Sequence, residues 1–379
     1  MKILRFGMVG GGGNAFIGGA HRRGAQMDDA AVLSAGCFSR RETVNRQTGE
    51  DWRVPSDRVY ADWHEMAARE SARSDGIDFV VIATPNNTHY EIAKCFLEHG
   101  IHVSCDKPVA MNVSEAATLR ALAQEKGLHC GVSYTYVNYP LVHQLRAMAD
   151  AGEIGKIVNV VAEYPQDWVI AQQAAGVETE KAWRFDSRQA GPSACAADIG
   201  THLECLIHFA TGLHVERVLA RLSHIPAKMP LETDAQVLLE LSGGVPGLLW
   251  ASQVAFGHDC GVSVRVFGDK GALEWTHDDP NHLKFTRAGG PVQLLTSAAG
   301  YLKDGPRAMS RLAAGHPEGF FEAFGNYYRA FCREVWRCKG ATDAPSLPHP
   351  TIEDGIRGLR FSEACIESQR RGNAWIQVS

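Results

Sequence analysis

The sequence predicts an α/β protein in two parts: an N-terminal doubly wound parallel sheet, then an α/β domain built on a large, mostly antiparallel sheet. Three observations predict it. The chain has 379 residues, more than one ordinary core supports. Its first 150 or so residues alternate short apolar strand signals with helix signals across brief connections. From Gly155 onward longer runs of period-two alternation take over. We divide the chain into residues 1–137 and 138–379, with the last helix able to return to the first domain.

In order, Phe6-Gly7-Met8-Val9 is a short apolar strand ending in glycines, and Ala31 to Phe38 is a second strand. Val59-Tyr60 predicts a weak third, followed by a helix from about Asp62 to Glu70. Phe79-Val80-Val81-Ile82-Ala83 is wholly apolar, as a strand covered on both faces must be. A helix from His89 to Glu98 stops at Gly100, and strand Ile101 to Ser104, a helix after Ser114 and strand Leu128 to Ser133 follow. The second half predicts strands over 157–164, 215–224, 235–241, 247–256 and 262–268, with turns at Ser242-Gly243-Gly244 and Asp269-Lys270-Gly271. Helices are expected over 198–210, 320–338 and 352–369. Residues 275–318 lack periodicity and read as a long surface excursion.

Composition excludes several classes. A formal net charge of −5 and no clustered basic face argue against a nucleic-acid partner. No run approaches the ~18 apolar residues of a membrane span. The opening Met1-Lys2-Ile3-Leu4-Arg5-Phe6 runs straight into glycines, without the apolar region of a secretory signal. The ten cysteines lie scattered from Cys37 to Cys365, none as C-x-x-C. They read as reduced thiols of a cytoplasmic protein, with no metal site.

Gly10, Gly11, Gly12 and Gly13 directly follow the first strand. Bare backbone there can approach a pyrophosphate at the N-terminus of the next helix, the arrangement of a Rossmann dinucleotide site. The usual third glycine is Ala15, and a pair follows at Gly18-Gly19. This spacing predicts a lengthened loop, with Gly10 and Gly12 at the turn and Gly18 packing the helix. After the second strand, Ser39-Arg40-Arg41 stands where an NAD enzyme usually offers a carboxylate. A hydroxyl and two guanidinium groups suit a 2′-phosphate, so the cofactor reads as NAD(P), with NADP slightly favoured over NAD. A solvated turn is the alternative for both arginines.

Three further motifs carry a resemblance. Ala83-Thr84-Pro85-Asn86-Asn87-Thr88-His89 follows the strongest strand, Cys105-Asp106-Lys107-Pro108 the next one, and Asp198-Ile199-Gly200-Thr201-His202 opens a helix. With the glycine loop they resemble the Gfo/Idh/MocA oxidoreductases, over essentially the whole chain. The resemblance implies a hydride transfer between nicotinamide and a secondary alcohol or ketone of a sugar, glycoside or inositol-like polyol. It also implies His202 as general acid/base, Asp198 as its partner at the substrate, and Lys107 as the group on the reacting hydroxyl. Asp106 stands where that family usually has Glu.

The residues make chemical sense without the name. Alcohol oxidation needs a base for the hydroxyl proton, and imidazole titrates near neutrality. Asp198 and His202 are four apart, which a regular helix stacks on one face. An N-capping Asp198 beside a packed histidine is the alternative, and for Lys107 a structural Lys-Pro turn.

Thr84, Pro85, Asn86, His89 and Asp106 are further cofactor candidates, although Asn after Pro is common in plain turns. Tyr136, Arg184 and His316 are substrate candidates, against packing, a surface arginine and a helix-entry role. A homodimer or homotetramer is expected. Rival functions are a non-catalytic NAD(P)-binding regulator and an imine- or biliverdin-type reductase, neither of which requires the Asp198–His202 pair.

Overall fold

Strand β1 (Leu4–Gly10) opens a five-stranded sheet in the computed structural model, which describes residues 2–341 and 346–379. It is followed by α1 (Phe16–Gln26), β2 (Ala31–Cys37), α2 (Glu42–Asp51), α3 (Trp63–Ala72), β3 (Phe79–Ala83), α4 (His89–Glu98), β4 (His102–Cys105), α5 (Val113–Lys126) and β5 (Cys130–Val132). The strands lie in the order β2-β1-β3-β4-β5, every neighbouring pair parallel. Each residue of β3 is buried, because helices cover both faces of a doubly wound sheet. Local chemistry sets the helix ends. Asp62 caps α3 by accepting the His64 and Glu65 amides, and Asn112 caps α5 by accepting the Glu115 amide while the Glu115 carboxylate accepts the Met111 amide and Asn112 Nδ2.

One local expectation fails here, and one helix was not expected. Val59-Tyr60 is not a strand: Val59 makes a single bridge to Gly36, directly after a 3-10 turn at Ser56–Arg58. Helix α2 escapes periodicity because it has no apolar stripe, burying only Asn45, Thr48 and Gly49.

The chain continues through α6 (Pro140–Asp150), β6 (Ile157–Pro165), α7 (Trp168–Ala174), α8 (Ser187–Ala190), α9 (Thr201–Thr211), β7 (Val215–Ser223), β8 (Asp234–Leu241), β9 (Val245–Ser252), β10 (Ser263–Gly268), β11 (Gly271–Thr276), β12 (His282–Arg287), β13 (Val292–Thr296) and α10 (Asp304–Arg307). Helices α11 (Phe320–Cys338) and α12 (Ile352–Arg370) and strand β14 (Ile376–Gln377) close it. The nine strands run β13-β12-β11-β10-β6-β9-β8-β7-β14, antiparallel except for the parallel pair β6–β9. The expected excursion over 275–318 is therefore corrected, since β12 and β13 extend the sheet there. They are short, and β13 leaves Val292 and Leu294 exposed, so their alternation is faint.

Two compact units result, Met1–Thr135 with Phe320–Ile356, and Tyr136–Gly319 with Arg357–Ser379. In the first, α11 packs Phe324, Tyr327, Tyr328 and Phe331 onto α1 and the sheet, where Phe6 and Phe79 stack. Each such side chain contributes roughly 1.5–3 kcal/mol when fully buried. Small residues let α1 come close: a Cβ on Gly24 would meet that of Phe324 at 2.5 Å.

In the second unit α6 and α9 lie against one sheet face, over Val160, Ala162, Val264, Val266, Leu273 and Trp275. On the other face Leu219, Leu238, Leu248 and Val161 stand in register, crossing four neighbouring strands as one apolar row. Cross-strand ion pairs flank that row, Arg217 with Glu240 and Arg265 with Glu163.

Candidate active site

In the first unit the strands' carboxyl ends converge on the glycine loop. Gly10, Gly11 and Gly13 adopt left-handed backbone, with φ of 82°, 71° and 64°. Gly12 does not, although it opens the turn that the Ala15 amide closes on its carbonyl. It is pressed on Phe38, where a Cβ would come within 2.8 Å of both the Phe38 Cβ and its carbonyl oxygen. Gly18 packs α1 onto the loop, as expected: a Cβ there would lie 2.0 Å from the Gly11 oxygen. The Gly13 amide donates to Thr48 Oγ at 3.0 Å, and Thr48 Oγ donates to the Val44 carbonyl. A Cβ-free cradle of this kind at a helix N-terminus fits the pyrophosphate of a dinucleotide.

The end of β2 is shaped by Asn45, which sequence reasoning missed. Its Oδ1 accepts the Phe38 and Ser39 amides and its Nδ2 donates to the Tyr60 carbonyl. Ser39 Oγ accepts the Arg41 amide, while the Arg40 and Arg41 side chains are exposed. Beyond β3, Thr84 Oγ accepts from Thr88 Oγ at 2.7 Å, and Pro85 and Asn86 are half-buried.

His89 is not presented to a ligand, which corrects its reading as a cofactor contact. It is buried, with Nδ1 2.7 Å from the Pro108 carbonyl oxygen and Nε2 2.8 Å from that of Thr84. It braces one loop on the next. Asp106 likewise serves its own turn, accepting the Lys107 amide and the Ser133 hydroxyl at 2.9 Å each. Lys107 sits half-buried immediately past β4.

In the second unit, Ala196–Gly200 form a π-turn that runs directly into α9. Asp198 lies within this turn and His202 is the second residue of α9, so the regular four-residue stacking expected of them is replaced by the wider turn. Nor is Asp198 an N-cap: its amide donates to the Ala194 carbonyl, and its carboxylate accepts Gln253 Nε2 at 3.2 Å. Gln253 is buried, its amide held by the Thr233 carbonyl. Buried Glu232 fixes the start of the π-turn by accepting the Ser193 hydroxyl and the Ala196 amide, and burial pushes its carboxyl up. Neither Gln253 nor Glu232 carries a sequence signal, because each meets the helix only through the fold.

Tyr136 packs edge-on against the His202 ring, at 5.0 Å between centroids. Its hydroxyl meets that of Tyr164 at 2.5 Å and Cys260 Sγ at 3.2 Å. Burial holds both tyrosines in their neutral form by pushing their hydroxyls well up. Arg184 is exposed and stacks on Trp183, and His316 is exposed on its loop with Nδ1 3.2 Å from the Ala313 carbonyl oxygen. Among the described residues no group of three or more His, Cys, Asp or Glu is placed to hold a metal, and no helix is long and apolar enough to cross a membrane.

Comparison with known proteins gives concordant matches. The oxidoreductase family model with an NAD-binding Rossmann fold, GFO/IDH/MocA, matches residues 4–134, and the GFO/IDH/MocA C-terminal domain matches residues 142–274. An uncharacterized oxidoreductase of Bacillus subtilis (strain 168), YfiI, is 35% identical, covering 99% of this chain and 97% of its own. An inositol dehydrogenase homolog from Azotobacter vinelandii, solved with NAD+, superposes with a TM-score of 0.93 at 38% identity over 99% of this chain and 97% of its own. A second structure of that homolog, with NADH and myo-inositol, gives 0.91 at 38% identity over 99% of this chain and 98% of its own.

Proposed function

This chain belongs to the GFO/IDH/MocA oxidoreductase family, and from that premise we propose that it passes a hydride between NAD(P) and a secondary alcohol or ketone of a sugar, glycoside or inositol-like polyol. When bound, the nicotinamide supplies the hydride acceptor or donor. Everything else falls to this chain's residues. His202 takes the hydroxyl proton on oxidation and returns it on reduction. Asp198, oriented by Gln253, holds the substrate and the imidazolium. Lys107 donates to the reacting oxygen. Tyr136, Arg184 and His316 contact further hydroxyls.

The observation that carries this reading is the carboxylate of Asp198, fixed by a buried amide on a π-turn that leads directly into His202. A helix needed only for packing has no use for that irregularity, which recurs at functional sites. The myo-inositol complex of the Azotobacter vinelandii homolog supports the polyol class. His202→Ala is expected to lose at least about a hundredfold in turnover, with dinucleotide affinity held within a few-fold. Near-normal turnover on the best polyol in a screen of inositols, sugars and glycosides would overturn it.

For the cofactor, the cradle of Gly10, Gly12, Gly13 and Gly18 receives the pyrophosphate, and Thr84, Pro85 and Asn86 border the nicotinamide end. Ser39, Arg40 and Arg41 face the adenosine ribose without a carboxylate among them, which supports NADP over NAD. Calorimetric titration of both nucleotides tests this; a tenfold preference for NAD, about 1.4 kcal/mol, rejects it.

The apolar row Leu219–Leu238–Leu248–Val161 with its flanking ion pairs supports a homodimer or homotetramer joined through the open sheet face. None of the ten cysteines is in a disulfide and seven are buried, which supports a reducing, cytoplasmic setting.

A further inference from the structure

Four groups that exchange protons meet in the second unit, and of these only Tyr136 has a role assigned above. Cys260, half-buried on the connection between β9 and β10, has its Sγ 3.2 Å from the Tyr136 hydroxyl and 3.4 Å from that of Tyr164. The Tyr164 hydroxyl also accepts Gln166 Nε2 at 3.0 Å. His277, one residue past β11, bonds the same sulfur through its side chain and packs edge-on against Tyr136, ring centroids 5.3 Å apart. A sulfur ringed by two hydroxyls and an imidazole is solvated as an anion is. Burial by itself pushes the thiol up, but the hydrogen bonds from His277, Tyr136 and Tyr164 outweigh it and bring the group below its ordinary value. His277 moves the opposite way: burial lowers it, and the bond and charge of Cys260 raise it.

The other cysteines provide the contrast. Seven are buried. Cys95 is half-buried and Cys338 exposed, yet burial and a nearby glutamate, Glu98 or Glu334, push both thiols up. Accessibility alone therefore favours Cys338, whereas thiolate character favours Cys260, and the thiolate is the reacting form.

We propose that Cys260 is a covalent modification site for hydroperoxides, built by His277, Tyr136 and Tyr164 beside the ring of His202. The Cys260 sulfur attacks one peroxide oxygen, an S–O bond forms and the O–O bond breaks. Sulfur is oxidised by two electrons to a sulfenic acid, and the peroxide is reduced. Its departing hydroxide takes the proton of His277 and leaves as water. The new oxygen stands among Tyr136, Tyr164 and His277, next to the imidazole assigned above to proton transfer, so polyol turnover falls. That consequence rests on the reading of His202 as acid/base; the modification itself does not.

The test exposes the full chain to one equivalent of hydrogen peroxide at neutral pH. Sulfenic acids are trapped with dimedone, each cysteine is read by peptide mass spectrometry, and polyol turnover is followed in parallel. Cys260 is expected to be labelled severalfold faster than Cys338 or Cys95, because the hydrogen-bonded sulfur holds more of the reacting thiolate than thiols that burial and a nearby glutamate push up. His277→Asn is expected to remove that lead while Cys338 reacts as before, and the seven buried cysteines remaining unlabelled report a folded variant. Turnover is expected to fall in step with Cys260 labelling, and Cys260→Ala to keep its own starting rate under peroxide. Labelling of Cys338 or Cys95 as fast as Cys260, or an undiminished lead in His277→Asn, overturns the site. Full labelling with unchanged turnover overturns its consequence. A protein that oxidises no polyol before treatment counts against the functional reading, and the labelling order still decides the modification site.

Discussion

Neighbouring glycines in α1 should respond to the same substitution with opposite signs. Gly18→Ala places a methyl 2.0 Å from the Gly11 carbonyl oxygen and 2.5 Å from its Cα, both backbone atoms of a loop wedged between strands. A Cβ at Gly19 meets only the flexible end of Arg23, at 3.9 Å. Both sites are helical, so both gain about 0.5–1 kcal/mol from alanine's higher helix propensity. The difference between the two variants therefore isolates the packing penalty. Ordinary contact begins near 3.4 Å, so the loop must retreat by more than about 1 Å, and overpacking of that kind costs about 1–3 kcal/mol. Gly19→Ala is expected to be stabilised by roughly 0.5–1 kcal/mol and Gly18→Ala to be destabilised, leaving a gap of about 1–3 kcal/mol in urea unfolding. In the proposed reading the displaced amides also serve the dinucleotide, so Gly18→Ala should weaken binding by roughly tenfold, or about 1.4 kcal/mol, in a fluorescence titration. Equal stability of the two variants, or unchanged dinucleotide affinity in Gly18→Ala, refutes the reasoning.

Other tests address stability. Glu70 is fully buried and accepts from both Arg58 and the Tyr60 hydroxyl, so Glu70→Ala strands a buried guanidinium. Asp75 offers Arg58 only a partly exposed substitute at 3.6 Å, so the loss expected in chemical denaturation is about 3 kcal/mol, and a loss below about 1 kcal/mol would show the network to be dispensable. His102 Nδ1 accepts the His129 amide, and burial, with the charge of Lys339, brings the imidazole down to about 4. Its folded value lies below the unfolded value near 6.5, so the native state binds fewer protons between them. Stability is whole above that range and falls by about 3 kcal/mol as pH drops through it. His102→Asn keeps an acceptor for the His129 amide and should flatten the acid side of the stability profile; an unchanged slope assigns the acid sensitivity elsewhere.

What the sequence revealed follows from which signals are local. The first sheet was legible because β3 is apolar throughout and because a run of glycines after β1 is itself a conformational requirement. Helix α2 was invisible because its inward face is Asn45, Thr48 and Gly49, which pack by hydrogen bonding and small size rather than by hydrophobicity. The strands at 282–287 and 292–296 were hidden by their shortness and by the exposed apolar residues of β13. At the candidate site, Asp198 and His202 could be singled out through a motif, but Gln253, Glu232 and the Cys260 cluster could not. Gln253 is 55 residues from Asp198, and only the alignment of β9 with the helix joins them. His89 shows the converse error: a motif histidine whose two ring nitrogens are both engaged by main-chain carbonyls.

The π-turn at Ala196–Gly200 separates two molecules that differ by a single codon. A π-turn is an α-helix carrying one extra residue, closed here by the Thr201 amide on the Ala196 carbonyl and eased by Thr201 Oγ on the Ala197 carbonyl. Deleting Gly200 would let the segment close as ordinary helix, with a gain in regularity. It would also swing Asp198 by about 100° around the axis, away from Gln253, while leaving His202 where it is. An in-frame deletion at this point is therefore a path by which such a chain keeps its fold and loses the proposed placement of its carboxylate, and an insertion there is the reverse path. In an alignment of related chains, a one-residue gap at 199–200 would separate lineages that retain the carboxylate's aim from those that have abandoned it.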